Sequence, residues 1–144
     1  MSEARVILIA NDVVPGMGLP VAAPGLRAYG LGIGLRAHGC EVLTVVDQAP
    51  LRSLRPAGGL PALPEETVVL EGDAIGEFVA ARAPAVVVIT NSNQFDRLRL
   101  VPGLHLVLDL FAPKMLELAC NPTREDQARA LEVVRERKLR ALAA

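Results

Sequence analysis

The sequence has 144 residues, of which 51% are hydrophobic and 22% are charged, and these values fit one globular domain with a full hydrophobic core. The formal net charge of -1 gives no electrostatic basis for binding nucleic acid. The aromatic content of 3%, without tryptophan, argues against a stacking platform for single strands. Cys40 and Cys120, the two cysteines, are not closely spaced, so the sequence indicates neither a disulfide framework nor a zinc site.

The N-terminal region has the pattern of a parallel α/β unit. A buried β-strand is predicted over Arg5–Ala10, and it is followed by a loop rich in glycine and proline over Asn11–Ala23. Pro24–His38 is predicted to be a helix that ends at Gly39, and Glu41–Val46 is predicted to be a second strand. Ligands bind beyond the carboxyl ends of the strands in such sheets, so function is expected first in the loop after strand one.

The first strand is too short for a signal sequence or a membrane span. The expected compartment is therefore the cytoplasm, and a peripheral contact with a membrane stays compatible with the sequence.

The predicted first helix contains an apolar stripe and several glycines. The stripe expected to face the sheet consists of Leu26, Tyr29 or Gly30, Ile33 and Ala37. Gly30 and Gly34 share a face, and close packing against the sheet is the expected reason for their presence. These glycines do not form a dinucleotide fingerprint, because they lie inside the helical pattern and not directly after a strand.

The rest of the chain continues the alternation of strands and helices. Strands are predicted over Thr67–Leu70, Ala85–Thr90 and His105–Leu110, helices over Asp73–Arg82 and from Ala112-Pro113 through Leu118, and a loop over Gln48–Pro64. Ala85–Thr90 is the expected centre of the sheet. We therefore predict an α/β fold over residues 1–144: a Rossmann-like three-layer sandwich with a mainly parallel central sheet and helices on both faces.

A long final helix is predicted from a capping sequence at Thr123 to about Leu142. Its expected apolar stripe consists of Ala128, Leu131, Val134 or Arg135, Lys138 or Leu139, and Leu142. The opposite face is densely charged, which is typical of a solvated surface.

Candidate binding groups follow the predicted strands. Gly16 and Gly18, with the helix start at Gly25, are suited to present backbone N–H groups to a phosphate, and Arg27 adds a charged contact. The uncharged polar segment Asn91-Ser92-Asn93-Gln94 is suited either to hydrogen-bond sugar hydroxyls or to form a turn, and Asn91 and Asn93 are its candidate binding residues.

Two carboxylates also follow predicted strands. Asp109 either lies in an active cleft or is hydrogen-bonded to backbone N–H groups. Asp47 either binds a nucleotide ribose or is a solvated carboxylate at a strand end.

Several kinds of site are not indicated. The two histidines, His38 and His105, lack partners at metal-ligand spacing, so no metal site is predicted. The sequence contains neither a phosphate-binding loop that ends in Gly-Lys-Ser/Thr nor a Gly-x-Ser-x-Gly nucleophile motif.

Two stretches resemble a known family. Val6–Gly16, Ala23–Tyr29 and Leu35–Val42 together resemble the opening of bacterial group-1 glycosyltransferases, a retaining family (family 4) of GT-B architecture. The stretch Val107–Glu117, which contains Asp-Leu-Phe-Ala-Pro, is similar to a "Val-Asp-Leu-Tyr-Asp-Pro" stretch of that family. The sequence departs from the family at Cys40, which replaces the commoner His, and at Phe111 and Ala112.

The resemblance implies the N-terminal, acceptor-side half of a hexosyltransferase that uses a nucleotide-sugar donor and requires no cofactor. Gly16 and Gly18 would approach the donor phosphates. The resemblance does not identify the catalytic residues, and Asp109 is a candidate only because of its position after a predicted strand. The donor-binding C-terminal half is not among these 144 residues, so the isolated chain is expected to be inactive and to need that domain, from its own or a partner chain.

Two alternatives remain open. One is a freestanding Rossmann-like module for NAD or another nucleotide, with Asp47 at the ribose. The other is a non-catalytic assembly module that forms a homodimer through its final helix. A fold alone does not fix a function.

Overall fold

The computed structural model describes residues 5–54, 63–109, 119–120 and 127–144. Five strands are present in this part of the chain: β1 (Arg5–Ala10), β2 (Glu41–Asp47), β3 (Thr67–Leu70), β4 (Ala85–Ile89) and β5 (Leu104–Leu108). The helices there are α1 (Ala23–Ala37), α2 (Gln48–Arg52), α3 (Gly72–Ala80), a 3-10 helix (Ser92–Arg97) and α4 (Gln127–Ala143). The predicted short helix over 112–118, the capping sequence at 123–126 and the family match beyond Asp109 lie outside the described residues.

The five strands form one sheet in the order β3-β2-β1-β4-β5, and every neighbouring pair is parallel. The fold is therefore α/β and consistent with a Rossmann-like sandwich, as the sequence predicts. The centre of the sheet is β1, so the prediction that Ala85–Thr90 would be central is wrong. β4 is still flanked on both sides, by β1 and β5, which accounts for its apolar sequence.

Successive residues of the central strand serve two cores. Val6 and Leu8 pack on one face with Ala28 of α1 and Leu51 of α2. Residues on the other face pack beneath α3 and the 3-10 helix, and this second core contains Ile7, Ile9, Val45, Ile75, Val79, Val87 and Ile89. Because successive side chains of a strand point to opposite faces of the sheet, neighbouring residues of β1 pack against different helical layers.

The face that α1 turns to the sheet differs from the predicted one. Leu26, Tyr29 and Ile33 are exposed, whereas Gly25, Ala28 and Gly32 are the buried positions of the helix. A Cβ atom added at Gly32 would lie 3.6 Å from the Leu8 side chain, whereas one at Gly30 or Gly34 would meet nothing within 4 Å. The helix approaches the sheet through small residues, so the largest apolar side chains do not mark its inner face.

The inner face of α4 matches the predicted stripe only in part. Val134, a member of that stripe, is buried together with Ala141, while Ala128, Leu139 and Leu142 are exposed. Arg137 also lies toward the 3-10 helix, where it pairs with Asp96. Charged contacts therefore contribute to the docking of this helix.

Candidate functional site

The direction of chain progression reverses between β1 and β4, so the loops that follow these two strands leave in opposite directions. This arrangement is the topological switch point at which open α/β sheets bind ligands. All of the predicted site residues lie in segments at the carboxyl ends of the strands or in the start of α1, which begins at the same end.

The loop after β1 folds back onto the core. Val13, Val14 and Met17 are buried in it, which holds its backbone against the sheet. Gly16 and Gly18 have φ values of +94° and +68°, a region that side chains with a Cβ atom rarely adopt. These glycines are therefore required by the shape of the loop, and their contact with a phosphate stays a prediction.

Gly25 joins this loop to α1. A Cβ atom added at Gly25 would lie 1.7 Å from the carbonyl oxygen of Val13, so only glycine fits at this contact. The structure shows a packing role for Gly25 at the start of the helix, and its contact with a phosphate stays a prediction.

A pair of amide side chains joins the two sides of the switch point. Gln94 of the 3-10 helix donates a hydrogen bond from Nε2 to Oδ1 of Asn11, which directly follows β1, over 2.6 Å. Gln94 is only 1% exposed, and its Oε1 has no hydrogen-bond partner among the described residues. A buried polar atom without a partner is rare and costs free energy, which makes this pair a centre of the candidate site.

Asn11 begins the loop in which function is expected first, and Gln94 belongs to the polar segment after β4, but the sequence singles out neither as a binding residue. The available signal was that each follows a buried strand and is uncharged and polar. Which of several Asn and Gln residues becomes buried depends on the packing of the 3-10 helix, and local patterns do not encode that packing.

Asn91 and Asn93 serve the local structure. The Asn91 side-chain oxygen accepts a hydrogen bond from the backbone N–H of Asn93 over 2.9 Å, which caps the 3-10 helix. The Asn93 side-chain oxygen accepts from Arg137 over 2.9 Å. The turn interpretation of this segment is therefore realised, and a contact with sugar hydroxyls stays a prediction.

Arg27 and Asp109 are brought together by the fold. Arg27 donates from Nε and Nη2 to the two carboxylate oxygens of Asp109 over 2.8 and 3.1 Å. The hydrogen bond to Asp109 and the charge of its carboxylate raise the pKa of Arg27 above its ordinary value. Neither sequence interpretation of Asp109 included this partner, which comes from a segment far away in the chain.

The Asp47 carboxylate is buried and has a partner within the protein at each of its two oxygens. Asp47 is 2% exposed; its Oδ1 accepts from the backbone N–H of Ala49 over 2.9 Å, and its Oδ2 pairs with Arg97. At this burial the interpretation as a solvated carboxylate is wrong, and a contact with a nucleotide ribose stays a prediction.

The described residues contain no group of three or more His, Cys, Asp or Glu side chains suited to hold a metal ion. Among these same residues, no helix has the length and apolar character needed to cross a membrane. None of the protein-family models matches the sequence, and searches of curated proteins and of solved structures found no match.

Proposed function

We propose that this chain is the acceptor-side, N-terminal domain of a glycosyltransferase that uses a nucleotide-sugar donor. The observation that carries the proposal is the amide pair formed by Asn11 and Gln94 at the switch point. The sequence resemblance supplies the family, and the Rossmann-like sheet is compatible with it.

An amide pair of this kind suits hydroxyl groups. One hydrogen bond joins the two side chains, which leaves an acceptor on Gln94 and a donor on Asn11. Exchanging the oxygen and nitrogen of both amides would again leave one donor and one acceptor. A sugar hydroxyl both donates and accepts hydrogen bonds, so it matches the pair in either arrangement.

The proposal assigns the donor nucleotide mainly to a second domain, from the same or a partner chain. This domain alone therefore binds sugar nucleotides weakly and does not transfer sugar. The intact mass of the polypeptide in its native source tests this assignment, and a product more than twice the mass of these 144 residues supports a second domain.

The amide pair can be tested by NMR on the isotope-labelled chain. We expect millimolar UDP-glucose or GDP-mannose to shift the side-chain amide signals of Asn11 and Gln94. Gln94→Met, which preserves volume but removes the amide, should abolish the shift of Asn11. The matched control is Gln127→Met, which removes an exposed amide on α4 and should change nothing at the site.

Two outcomes would contradict the proposal. The first is that neither nucleotide sugar moves the two amides at any concentration reached. The second is tight, saturable binding of NAD, which would favour the freestanding dinucleotide module. The environment of Asp47 weighs against that module, because a ribose would have to open the buried ion pair with Arg97 to reach the carboxylate.

A further inference from the structure

The ion pair between Arg27 and Asp109 has the geometry with which proteins bind phosphate. Two N–H groups of the guanidinium meet the two carboxylate oxygens over 2.8 and 3.1 Å. A phosphoryl group presents two oxygens to arginine in the same planar, bidentate manner. The Asp109 carboxylate is therefore a chemical equivalent of the anion that this arginine could receive from a ligand.

The position of the pair is that of a ligand site. Arg27 lies one turn into α1, which begins after the β1 loop, and Asp109 directly follows β5. Because β4 lies between β1 and β5, the pair reaches across the carboxyl end of β4. The Asp109 backbone N–H bonds to the carbonyl oxygen of Ile89, the last residue of β4, over 2.9 Å, which fixes the aspartate at this edge.

A second observation at the same end of the sheet points to a ligand. Gln94 is buried, and its Oε1 has no partner among the described residues. Gln94 follows β4 and Asn11 follows β1. Their hydrogen bond therefore lies at the same carboxyl end of the sheet as the ion pair, which crosses the end of β4. The switch point thus has both a basic group paired with an internal anion and a buried side-chain amide with one atom that lacks a partner among the described residues.

The pair is accessible to an incoming anion. The Arg27 side chain is 47% exposed and that of Asp109 is 14% exposed, so solvent and ligands reach the guanidinium without unfolding of the core. Exposed ion pairs contribute little to stability, so a phosphate with more negative charge than a carboxylate competes well for the arginine.

We propose that Arg27 binds a phosphoryl group of the ligand, and that Asp109 occupies this site in the unliganded chain until the phosphoryl group displaces it. The inference rests on the proposed function only for the source of the phosphate, which is the diphosphate of a nucleotide-sugar or a phosphate on the acceptor. The exchange breaks no covalent bond, and it frees the carboxylate of Asp109 beside the bound phosphate.

The experiment is a titration with inorganic pyrophosphate, followed by NMR through the backbone amide signals of the loop after β1 and the start of α1, which every variant retains. In chains that keep Arg27, its Nε–Hε signal is followed as well. Asp109→Asn removes the internal competitor, so we expect pyrophosphate to bind about three- to tenfold more tightly than to the unchanged chain. Arg27→Gln should abolish binding. Arg27→Lys keeps the charge but loses the bidentate geometry, and it should weaken binding.

Glu41→Gln is the matched control. Glu41 pairs with Arg5 at the amino end of the sheet, so this variant removes one carboxylate charge from an arginine pair far from the site. It should bind pyrophosphate as the unchanged chain does. An equal gain in Glu41→Gln and Asp109→Asn would show a general charge effect and would overturn the proposal, as would unchanged affinity in Asp109→Asn.

Further probes separate the sources of the phosphate and the two proposals. Preference for UDP-glucose over glucose 1-phosphate indicates the donor diphosphate, and the reverse indicates a phosphorylated acceptor. Pyrophosphate binding that needs Arg27, without any response of the Asn11 and Gln94 amides to nucleotide sugars, would support the phosphate site and contradict the glycosyltransferase.

Discussion

At the scale of single residues, the glycines of α1 divide into two groups: those that pack closely against other parts of the fold and those with open space around them. Gly25 lies where a Cβ atom would overlap the carbonyl oxygen of Val13, whereas Gly34 has open space around the corresponding position. Spacing in the sequence suggests close packing for Gly30 and Gly34, and the structure gives that role to Gly25 and Gly32. Sequence periodicity identifies the helix but not which of its glycines meets another backbone.

Gly25→Ala and Gly34→Ala should therefore change stability in opposite directions. Gly25→Ala should lower the free energy of unfolding by about 2 kcal/mol or more, because the loop after β1 must move away from the helix. Gly34→Ala should raise it by about 0.5 to 1 kcal/mol through helix propensity alone. Urea denaturation followed by circular dichroism measures both, and a stabilised Gly25→Ala would contradict the contact.

At the scale of elements, α4 is attached to the 3-10 helix by ion pairs as well as by buried apolar residues. Asp96 accepts from Arg137 over 2.5 Å and pairs with Arg140 over 2.8 Å, while the two buried residues of the helix are Val134 and Ala141. The sequence predicts the existence of α4 from its amphipathic pattern. It does not predict the helix orientation, because Asp96, which pairs with two arginines of α4, lies in another element.

Asp96→Ala should loosen α4 without disturbing the sheet. Loss of both arginine contacts should cost about 1 to 2 kcal/mol locally, which corresponds to roughly five- to thirtyfold faster amide hydrogen exchange in α4. The control is Glu132→Ala, because Glu132 makes only an exposed 3.9 Å pair with Arg135. Equal exchange rates in the two variants would mean that the ion pairs with Asp96 do not hold the helix.

At the scale of the whole molecule, Asp47 and Arg97 connect the two halves of the sheet. Asp47 ends β2 on one side of β1, and Arg97 ends the 3-10 helix that follows β4 on the other side. Gly72 makes room for this contact, because a Cβ atom there would lie 3.0 Å from the guanidinium carbon of Arg97.

Arg97→Gln should destabilise the whole fold. It leaves the buried Asp47 carboxylate without its guanidinium, and we expect a loss of about 2 to 4 kcal/mol, at the lower end because Arg97 is 35% exposed. Arg52→Gln removes an arginine from an exposed pair with Glu71 and should cost less than about 0.5 kcal/mol. Thermal unfolding of the two variants measures the difference, and equal melting temperatures would refute a structural role for the buried pair.

The α/β class and the five strands follow from the sequence, because buried parallel strands have continuous apolar runs and each is bounded by turn residues. The contacts that form the candidate site do not follow from it. Arg27 with Asp109, and Asn11 with Gln94, join segments that are distant in the chain. Such pairs depend on strand order, which single-sequence patterns do not specify.

The pair between Asp47 and Arg97 also has a consequence for synthesis on the ribosome. When β1, α1, β2 and α2 have emerged, Asp47 can form its helix cap, but its guanidinium comes fifty residues later. Burying a carboxylate without a counter-charge is costly, so we expect Asp47 to stay hydrated at this stage. The early strands should therefore complete their packing only after the 3-10 helix has left the exit tunnel.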